Sequence, residues 1–242
     1  YYYDGAYQDM EINQEEITVR GGGQINVTHR KTVWGPVVTS LISSVNPGEE
    51  FALKHAEVYD TRKCTLKATM EMMRAYDWES FEQAIETYAS PAIHAIYGDK
   101  YGNIGYNLLA SIPLRASEAP LHGKIAQYGN SSENDWQEIV PKKYLPHTLN
   151  PSTGVISTAN NMAVGSWYPL PLGFGTGDTV RSWRLRERLA MLPEFSQDDV
   201  LAIHRDMVNP AVREIVRLGR HIVYTLNQSM SQEAMNALET LN

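Results

Sequence analysis

The spacing of hydrophobic residues divides the chain into a strand-rich beginning and a helical end. From residue 1 to about 60, hydrophobic and polar positions alternate in short runs that glycines interrupt. In one such run Ile25, Val27 and His29 share a face, which predicts a strand. In residues 210–226 the hydrophobic positions recur at helical spacing instead, which predicts an amphipathic helix. The pattern therefore predicts an α+β fold.

Six helices are predicted from this spacing and from residues that favour helix ends. Asp77 and Ser196 can cap helix starts, and Ser196 is followed three residues later by Asp199. Pro210 suits the first position of a helix, because its missing N–H would have no partner there. The predicted spans are 66–76, 78–89, 180–192, 197–207, 210–226 and 231–241.

Two further segments carry turn signals. Residues 93–112 are predicted to form a hairpin, with a turn at 98–103 that contains glycine, aspartate and asparagine. Residues 150–161 begin with the turn signal Asn-Pro, and their hydrophobic positions then predict a short buried strand that ends at Asn160 and Asn161. These two asparagines either close a turn or offer side-chain N–H donors to a developing oxyanion. Local sequence leaves both interpretations open.

The whole chain is predicted to form one unit, since no repeat or low-complexity linker divides residues 1–242. Within it, 1–60 is rich in strands, 63–150 holds helices and the hairpin, and 151–242 holds the asparagine and arginine segment followed by helices. The chain does not begin with methionine, and we expect it to be an internal piece of a longer protein.

The charge and the reactive residues exclude several functional classes. The formal net charge of -7 argues against a nucleic-acid partner and against a basic membrane-binding patch. No apolar run approaches the roughly 20 residues of a membrane span. The single cysteine, Cys64, rules out an internal disulfide and a cysteine-based metal site, and its setting predicts a buried or half-buried structural thiol. The histidines show no zinc-binding spacing, so no metal site is predicted.

Two short motifs resemble sites of other enzyme classes but lack the surrounding signals. His204-Arg205-Asp206 matches a kinase triplet, but it lies in a predicted helix and the other kinase motifs are missing. Residues 173–178 are rich in glycine but lack the lysine and the preceding strand of a phosphate-binding loop, so a mobile loop is predicted. The residues by themselves show no nucleophile with a base beside it.

Four segments follow one another in a characteristic order along roughly residues 1–208. They are 16–20 with 32–38; 77–81 with 97–106 and 112–115; 145–146 with 150–154 and 158–161; and 168–169 with the pair Arg181 and Arg184. Each segment alone is weak, but their order and spacing resemble the penicillin acylase (penicillin amidase) family of N-terminal nucleophile hydrolases. The resemblance implies that the chain is part of an αββα sandwich.

The resemblance also implies a reaction and its residues. Family members are made as one precursor that cleaves itself into two chains, and the new N-terminal serine of the larger chain attacks an amide bond. Its α-amino group, with an ordinary pKa near 7.7–8.0, acts as the base. The oxyanion is held by a backbone N–H and by an asparagine that corresponds to Asn160, and the arginine that orders the site corresponds to Arg184. The expected substrate is a small N-acyl amide, and the expected location is periplasmic or secreted.

Three differences from the family pattern limit what this chain can do alone. The serine signature is missing, so the chain is expected to be an inactive internal fragment of the larger chain, with the remainder of the same precursor as its partner. Val33-Trp34 replaces an arginine–histidine pair. Leu172 and Phe174 stand near the position of an aspartate that binds calcium in some members, so no calcium ligand set is evident and no cofactor is expected.

Two alternatives to a catalytic fragment stay open. The first is a non-catalytic relative that keeps the scaffold without the nucleophile, and an intact, unprocessed gene product would favour it. The second is an independent ligand-binding module that uses the aromatic residues of loop 167–178, and cooperative unfolding of the isolated chain would favour it.

Overall fold

The computed structural model describes residues 1–56, 63–116, 123, 125–172, 177, 179–191, 194–226 and 231–240. Within them the strands are β1 (Tyr2–Tyr3), β2 (Ala6–Tyr7), β3 (Glu11–Val19), β4 (Gly23–Thr32), β5 (Gly35–Pro36), β6 (Ile93–Gly98), β7 (Ile104–Leu109), β8 (Pro113–Arg115), β9 (Trp136–Ile139) and β10 (His147–Leu149). The α-helices are α1 (Thr65–Met72), α2 (Trp78–Ala84), α3 (Val180–Ala190), α4 (Gln197–His204), α5 (Pro210–Leu226) and α6 (Gln232–Thr240). The presence of both element types confirms the predicted α+β class.

The chain divides into two compact units. The first unit comprises Tyr1–Ala95, Asn107–His147 and Pro169–Phe174, and the second comprises Ile96–Tyr106, Thr148–Tyr168 and Gly175–Asn242. The prediction that residues 1–242 form a single unit stays a prediction.

A long antiparallel hairpin of β3 and β4 occupies the beginning of the first unit, as the alternation of hydrophobic residues predicts. Ile17 lies opposite Ile25 near the turn, and β5 pairs with the far end of β4. Gly21 and Gly23 adopt φ angles of 76° and 82° in this turn. A side chain would be strained in that conformation, so glycine is the residue that allows the hairpin to close there.

The hydrophobic core of the first unit draws on α2, the end of β7 and the segment before β10. Phe81 of α2 is buried, and Leu109 and Leu145 are the largest fully buried side chains of the described residues. α2 begins where predicted, because the Asp77 carboxylate accepts a hydrogen bond of 2.8 Å from the Ser80 backbone N–H. The cap thereby fixes where α2 begins.

β6 and β7 form the predicted hairpin, and β10 pairs with β7 in a sheet of order β10-β7-β6. The Asp99 carboxylate holds the hairpin turn: it accepts from the Tyr101 and Asn103 backbone N–H groups at 2.8 and 3.0 Å, from the Asn103 side-chain amide at 2.8 Å and from the Tyr97 hydroxyl at 3.0 Å. These hydrogen bonds, the one from the Asn103 amide above all, hold the pKa of Asp99 below its ordinary value. Asn150 donates to the Asn103 side chain at 2.8 Å, which joins the turn to the segment after β10.

The helices α3 to α6 belong to the second unit and begin close to the predicted positions. Ser196 and Asp199 form the predicted capping box before α4, with hydrogen bonds of 2.9 Å from the Ser196 N–H and 3.2 Å from the Asp199 N–H. α5 begins at Pro210, as predicted for a proline in the first helical position. Local capping therefore accounts for the starts of these helices.

Residues 155–159 do not form the predicted buried strand. They lie outside every strand, and Val155 is 38% exposed. Ser157 and Thr158 interrupt the alternation of a strand, and a strand also needs a neighbour to pair with. Within the described residues this segment has no such neighbour, so it is an irregular stretch that leads into the turn at Asn160.

Cys64 is exposed, so the prediction of a buried or half-buried thiol is wrong. It is the residue before α1, where its N–H donates to the Thr87 carbonyl at 2.8 Å and its carbonyl accepts from the Ala68 N–H at 3.0 Å. These bonds fix the backbone at the helix start and leave the side chain in contact with solvent. The type of residue alone therefore did not predict its burial.

Candidate active site

The two asparagines lie in one turn but have separate roles. Asn160 has a positive φ angle of 61°, which asparagine adopts more readily than most residues. Asn161 uses its amide locally: the oxygen accepts from the Ala159 N–H at 3.0 Å, and the nitrogen donates to the Met162 carbonyl at 3.0 Å. Asn161 therefore stabilises the turn, and Asn160 is the asparagine whose amide can face a ligand.

Arg181 orients the side-chain amide of Asn160. Its Nη2 donates to Asn160 Oδ1 at 2.8 Å. Since the arginine side chain has only donors, the amide atom that faces it is the oxygen. Asn160 is exposed, and its Nδ2 makes no hydrogen bond within the part of the chain that the structure describes. Both N–H bonds of this amide are available to an incoming acceptor.

Thr179 ties the asparagine turn to the start of α3. Its hydroxyl donates to the Ala159 carbonyl at 3.1 Å and accepts from the Ser182 backbone N–H at 3.1 Å, which makes it the N-cap of α3. Because Arg181 lies in the first turn of α3, this cap fixes its position relative to Asn160. The contact between Arg181 and Asn160 thus depends on a helix cap, Thr179, that also hydrogen-bonds to the residue before Asn160.

Two carboxylates accept hydrogen bonds from the guanidinium of Arg184. Nε and Nη2 donate to the two oxygens of Asp206 at 2.9 and 2.6 Å, a bidentate pair, and Nη1 donates to Glu187 at 2.9 Å. The side chains of Arg184 and Asp206 are only 15% and 11% exposed. Hydrogen bonds from Arg184 lower the pKa of Asp206 to about 2, and those to Asp206 and then Glu187 raise the pKa of Arg184. The pair therefore stays charged throughout the neutral pH range.

The same ion pairs connect α3 with α5. Glu187 on α3 accepts from Arg213 on α5 at 3.0 and 3.2 Å, and Arg188 lies 3.6 Å from Asp206. Asp206 also accepts from the Val208 backbone N–H at 3.0 Å, in the bend between α4 and α5. The network holds α3 against the helices that follow it, and with α3 the arginine that contacts the asparagine turn.

The structure brings Asn160 together with Arg181 and places Arg184 one helical turn further along α3. Arg181 stands in the same family segment as Arg184, but nothing in the spacing of the two arginines shows which of them meets Asn160. Asp206 carries no sequence signal for its contact with Arg184, because its triplet resembles only a kinase motif. The predicted roles of Asn160 and Arg184 stay predictions, and the structure adds Arg181 and Asp206 to the candidate site through their contacts with these two residues.

The site offers hydrogen-bond donors next to a positive charge. The described residues contain no group of three or more histidine, cysteine, aspartate or glutamate side chains that could hold a metal ion. In the same ranges, none of the helices has the length and apolar character of a membrane span. The Asn160 amide, oriented by a guanidinium, suits an oxygen atom that gains negative charge during a reaction.

Comparison with known proteins decides the family. The sequence profile described as penicillin amidase matches residues 1–242. The chain belongs to the penicillin amidase family. It is 27% identical over 210 residues to the penicillin acylase 2 proenzyme of Pseudomonas sp. (strain SE83). This match covers 87% of this chain and 26% of that protein. It is also 25% identical over 189 residues to an acyl-homoserine lactone acylase (QuiP) of Pseudomonas fluorescens. This second match covers 78% of this chain and 22% of that protein.

A solved structure of a family member shares the fold. The thermostable penicillin G acylase from Alcaligenes faecalis matches with a TM-score of 0.71 and 24% identity, over 90% of this chain and 39% of that chain. This similarity confirms the predicted α+β fold, which the chain shares with that penicillin G acylase. The chain spans about a quarter of the length of the two curated relatives named above.

Proposed function

We propose that this chain is part of an amidohydrolase that cleaves the amide bond of a small N-acyl substrate, with Asn160 as the oxyanion donor. The observation that supports it is the hydrogen bond from Arg181 to Asn160 Oδ1, which leaves the two N–H bonds of Nδ2 for an acceptor. Membership of a family whose named relatives are acylases supports the reaction class. The periplasm or the secreted fraction is the location that we infer from the same resemblance.

In this mechanism an N-terminal serine from outside this chain is the nucleophile. Its α-amino group takes the hydroxyl proton as the oxygen attacks the carbonyl carbon, and later gives that proton to the leaving amine. The carbonyl oxygen becomes an oxyanion, which Asn160 Nδ2 stabilises by donating a hydrogen bond. Water then hydrolyses the acyl-serine ester and releases the acid.

Arg184 acts as a positioning residue in this proposal. Its bidentate pair with Asp206, and the pair of Glu187 with Arg213, hold α3 in place. Arg181 belongs to the first turn of the same helix, so these pairs control the geometry of the donor without touching the substrate.

The proposal is tested with the full-length gene product. Mass spectrometry should find two chains, the larger with a newly exposed N-terminal serine, and the processed protein should hydrolyse a penicillin or an acyl-homoserine lactone with release of the free amine. An unprocessed single chain that hydrolyses neither substrate would instead support the non-catalytic relative.

Replacement of Arg181 by leucine in the full-length protein should lower kcat about tenfold while KM changes little. The amide of Asn160 remains but loses its fixed orientation, so only part of the roughly 10²–10³ contribution of one oxyanion donor is lost. Steady-state kinetics and thermal melting measure the effect.

The matched control is Arg186→Leu, which removes the same charge from an exposed position of the same helix. If both variants lose kcat equally, or if KM rises instead of kcat falling, Arg181 does not orient the donor.

A further inference from the structure

The first unit contains a cavity of about 360 Å³ between α2, β7 and the segment around the Lys142–Tyr144 helical turn. Every residue that lines it belongs to the first unit. This volume lies within the range of about 300–1,000 Å³ that is usual for small-molecule sites. The amide hydrolysis proposed for Asn160 gives this cavity no role.

Two residues that line this cavity carry a buried hydrogen-bond donor without a hydrogen-bond partner in the described part of the chain. The Asn107 residue is only 6% exposed, and neither its Nδ2 nor the Nζ of Lys142 has a hydrogen-bond partner among the described residues. The Lys142 amine lies 5.6 Å from the centre of the Tyr88 ring, which does not replace a hydrogen-bond acceptor. Buried polar groups in proteins are almost always satisfied by protein or by water, so two such donors beside one cavity make it a candidate site for a ligand that carries an acceptor.

The charge on Lys142 is destabilised in the absence of such an acceptor. Burial above all, and then the positive charge of Lys63, lower the pKa of Lys142 to about 8, against an opposing effect of Glu86. A bound anion would stabilise the protonated amine and so replace the hydration that burial removes. The amine is still mostly protonated at pH 7, so it can meet an anion with its full charge.

Three carboxylates and the exposed Lys143 line the same cavity. Glu79 and Glu86 are exposed and Glu82 is half-buried, and all three lie on α2 or the helical turn that directly follows it. The lining therefore combines two buried donors with three acids, two of which are exposed. A simple anion would meet these acids unfavourably, but a ligand with one charge of each sign would match both kinds of lining group.

We propose that this cavity binds a small molecule that carries both a carboxylate and an ammonium group, the charge arrangement of an amino acid. The side chains of Asn107 and Lys142 turn their buried donors, Nδ2 and Nζ, into the cavity to donate to the carboxylate, and the ammonium group faces the glutamates. Neither contact involves Asn160 or Arg181, so the proposal can fail while the proposed amide hydrolysis stands, and the reverse.

The test is calorimetric titration of the full-length protein at pH 7 with three probes of equal carbon length: 4-aminobutyrate, butyrate and butylamine. The 4-aminobutyrate should bind at least about tenfold more tightly than either single-charge probe. Each single-charge probe lacks the hydrogen bonds of one charged group, and the loss of one such bond weakens binding by about this factor. Equal binding of butyrate and 4-aminobutyrate, or no saturable binding of 4-aminobutyrate, would overturn the proposal.

Variants locate the binding to this cavity. Lys142→Met keeps most of the side-chain volume and should weaken 4-aminobutyrate binding at least about tenfold. The control Lys67→Met removes a charge from an exposed lysine of α1 that is not among the residues lining the cavity, and it should change the binding less than about twofold. Because Lys142→Met removes a buried amine, it should melt no lower than the unmodified protein. Glu82→Gln should weaken 4-aminobutyrate but not butyrate, and unchanged binding in both Lys142→Met and Glu82→Gln would contradict the assignment.

Discussion

Replacement of Asn160 by alanine in the full-length protein is expected to lower kcat by about 10²–10³, the usual effect of losing one side-chain oxyanion donor. The donor acts only when the carbonyl oxygen has gained charge, so KM should change much less than kcat. The structural basis is the amide nitrogen, which the Arg181 contact leaves without a hydrogen bond in the described part of the chain. Steady-state kinetics on a penicillin or an acyl-homoserine lactone measures the effect.

Asn160→Gly is the matched control for the backbone. The φ angle of Asn160 is 61°, so alanine adds strain at this position whereas glycine does not. If the amide is the cause, the glycine and alanine variants should lose kcat to the same extent. Recovery of activity in the glycine variant would attribute the loss to strain, and a kcat within about twofold of the unmodified protein in either variant would remove the oxyanion role.

Leu109→Ala is expected to reduce the free energy of unfolding by about 2–5 kcal/mol, the usual cost of a buried leucine truncation that leaves a cavity. Leu109 is 1% exposed and is one of the two largest fully buried side chains among the described residues. A loss of this size is a large part of the roughly 5–15 kcal/mol that stabilises a typical domain. Urea unfolding of the full-length protein, followed by circular dichroism, measures it.

Leu66→Ala is the control for this prediction. Leu66 lies on α1 and is 70% exposed, so its truncation should change the free energy of unfolding by no more than about 0.5 kcal/mol. Similar losses in both variants would show that Leu109 does not belong to the core of a cooperatively folding unit.

Arg181 and Arg184, two of the arginines of α3, show that a match to a family segment does not identify which side chain contacts Asn160. The resemblance points to Arg184 as the residue that orders the site, and the structure shows Arg184 engaged by Asp206 and Glu187. Arg181, one helical turn earlier, makes the contact with Asn160. We therefore infer a chain of support in which Arg184 holds α3, the helix holds Arg181, and Arg181 orients the amide.

The sequence by itself determined the features that depend on neighbouring residues. The starts of α2, α4 and α5 follow from Asp77, Ser196 and Pro210, since capping involves atoms only a few residues apart. The β3–β4 hairpin follows in the same way from its alternation and from glycines that permit positive φ angles. The order of the family segments also determined the fold class, which the solved relative confirms.

Only the tertiary structure decided the features that depend on distant residues. The segment 155–159 is no strand within the described residues, because a strand needs a partner that local alternation cannot supply. Thr179 reaches across 20 positions to Ala159, and this contact selects Arg181 rather than Arg184 as the neighbour of Asn160. The two buried donors beside the cavity also come from separate parts of the chain, since Asn107 lies on β7 and Lys142 lies in the helical turn before β10. Spacing along a sequence predicts helices and turns, whereas the meeting of side chains from different elements is set by how those elements pack.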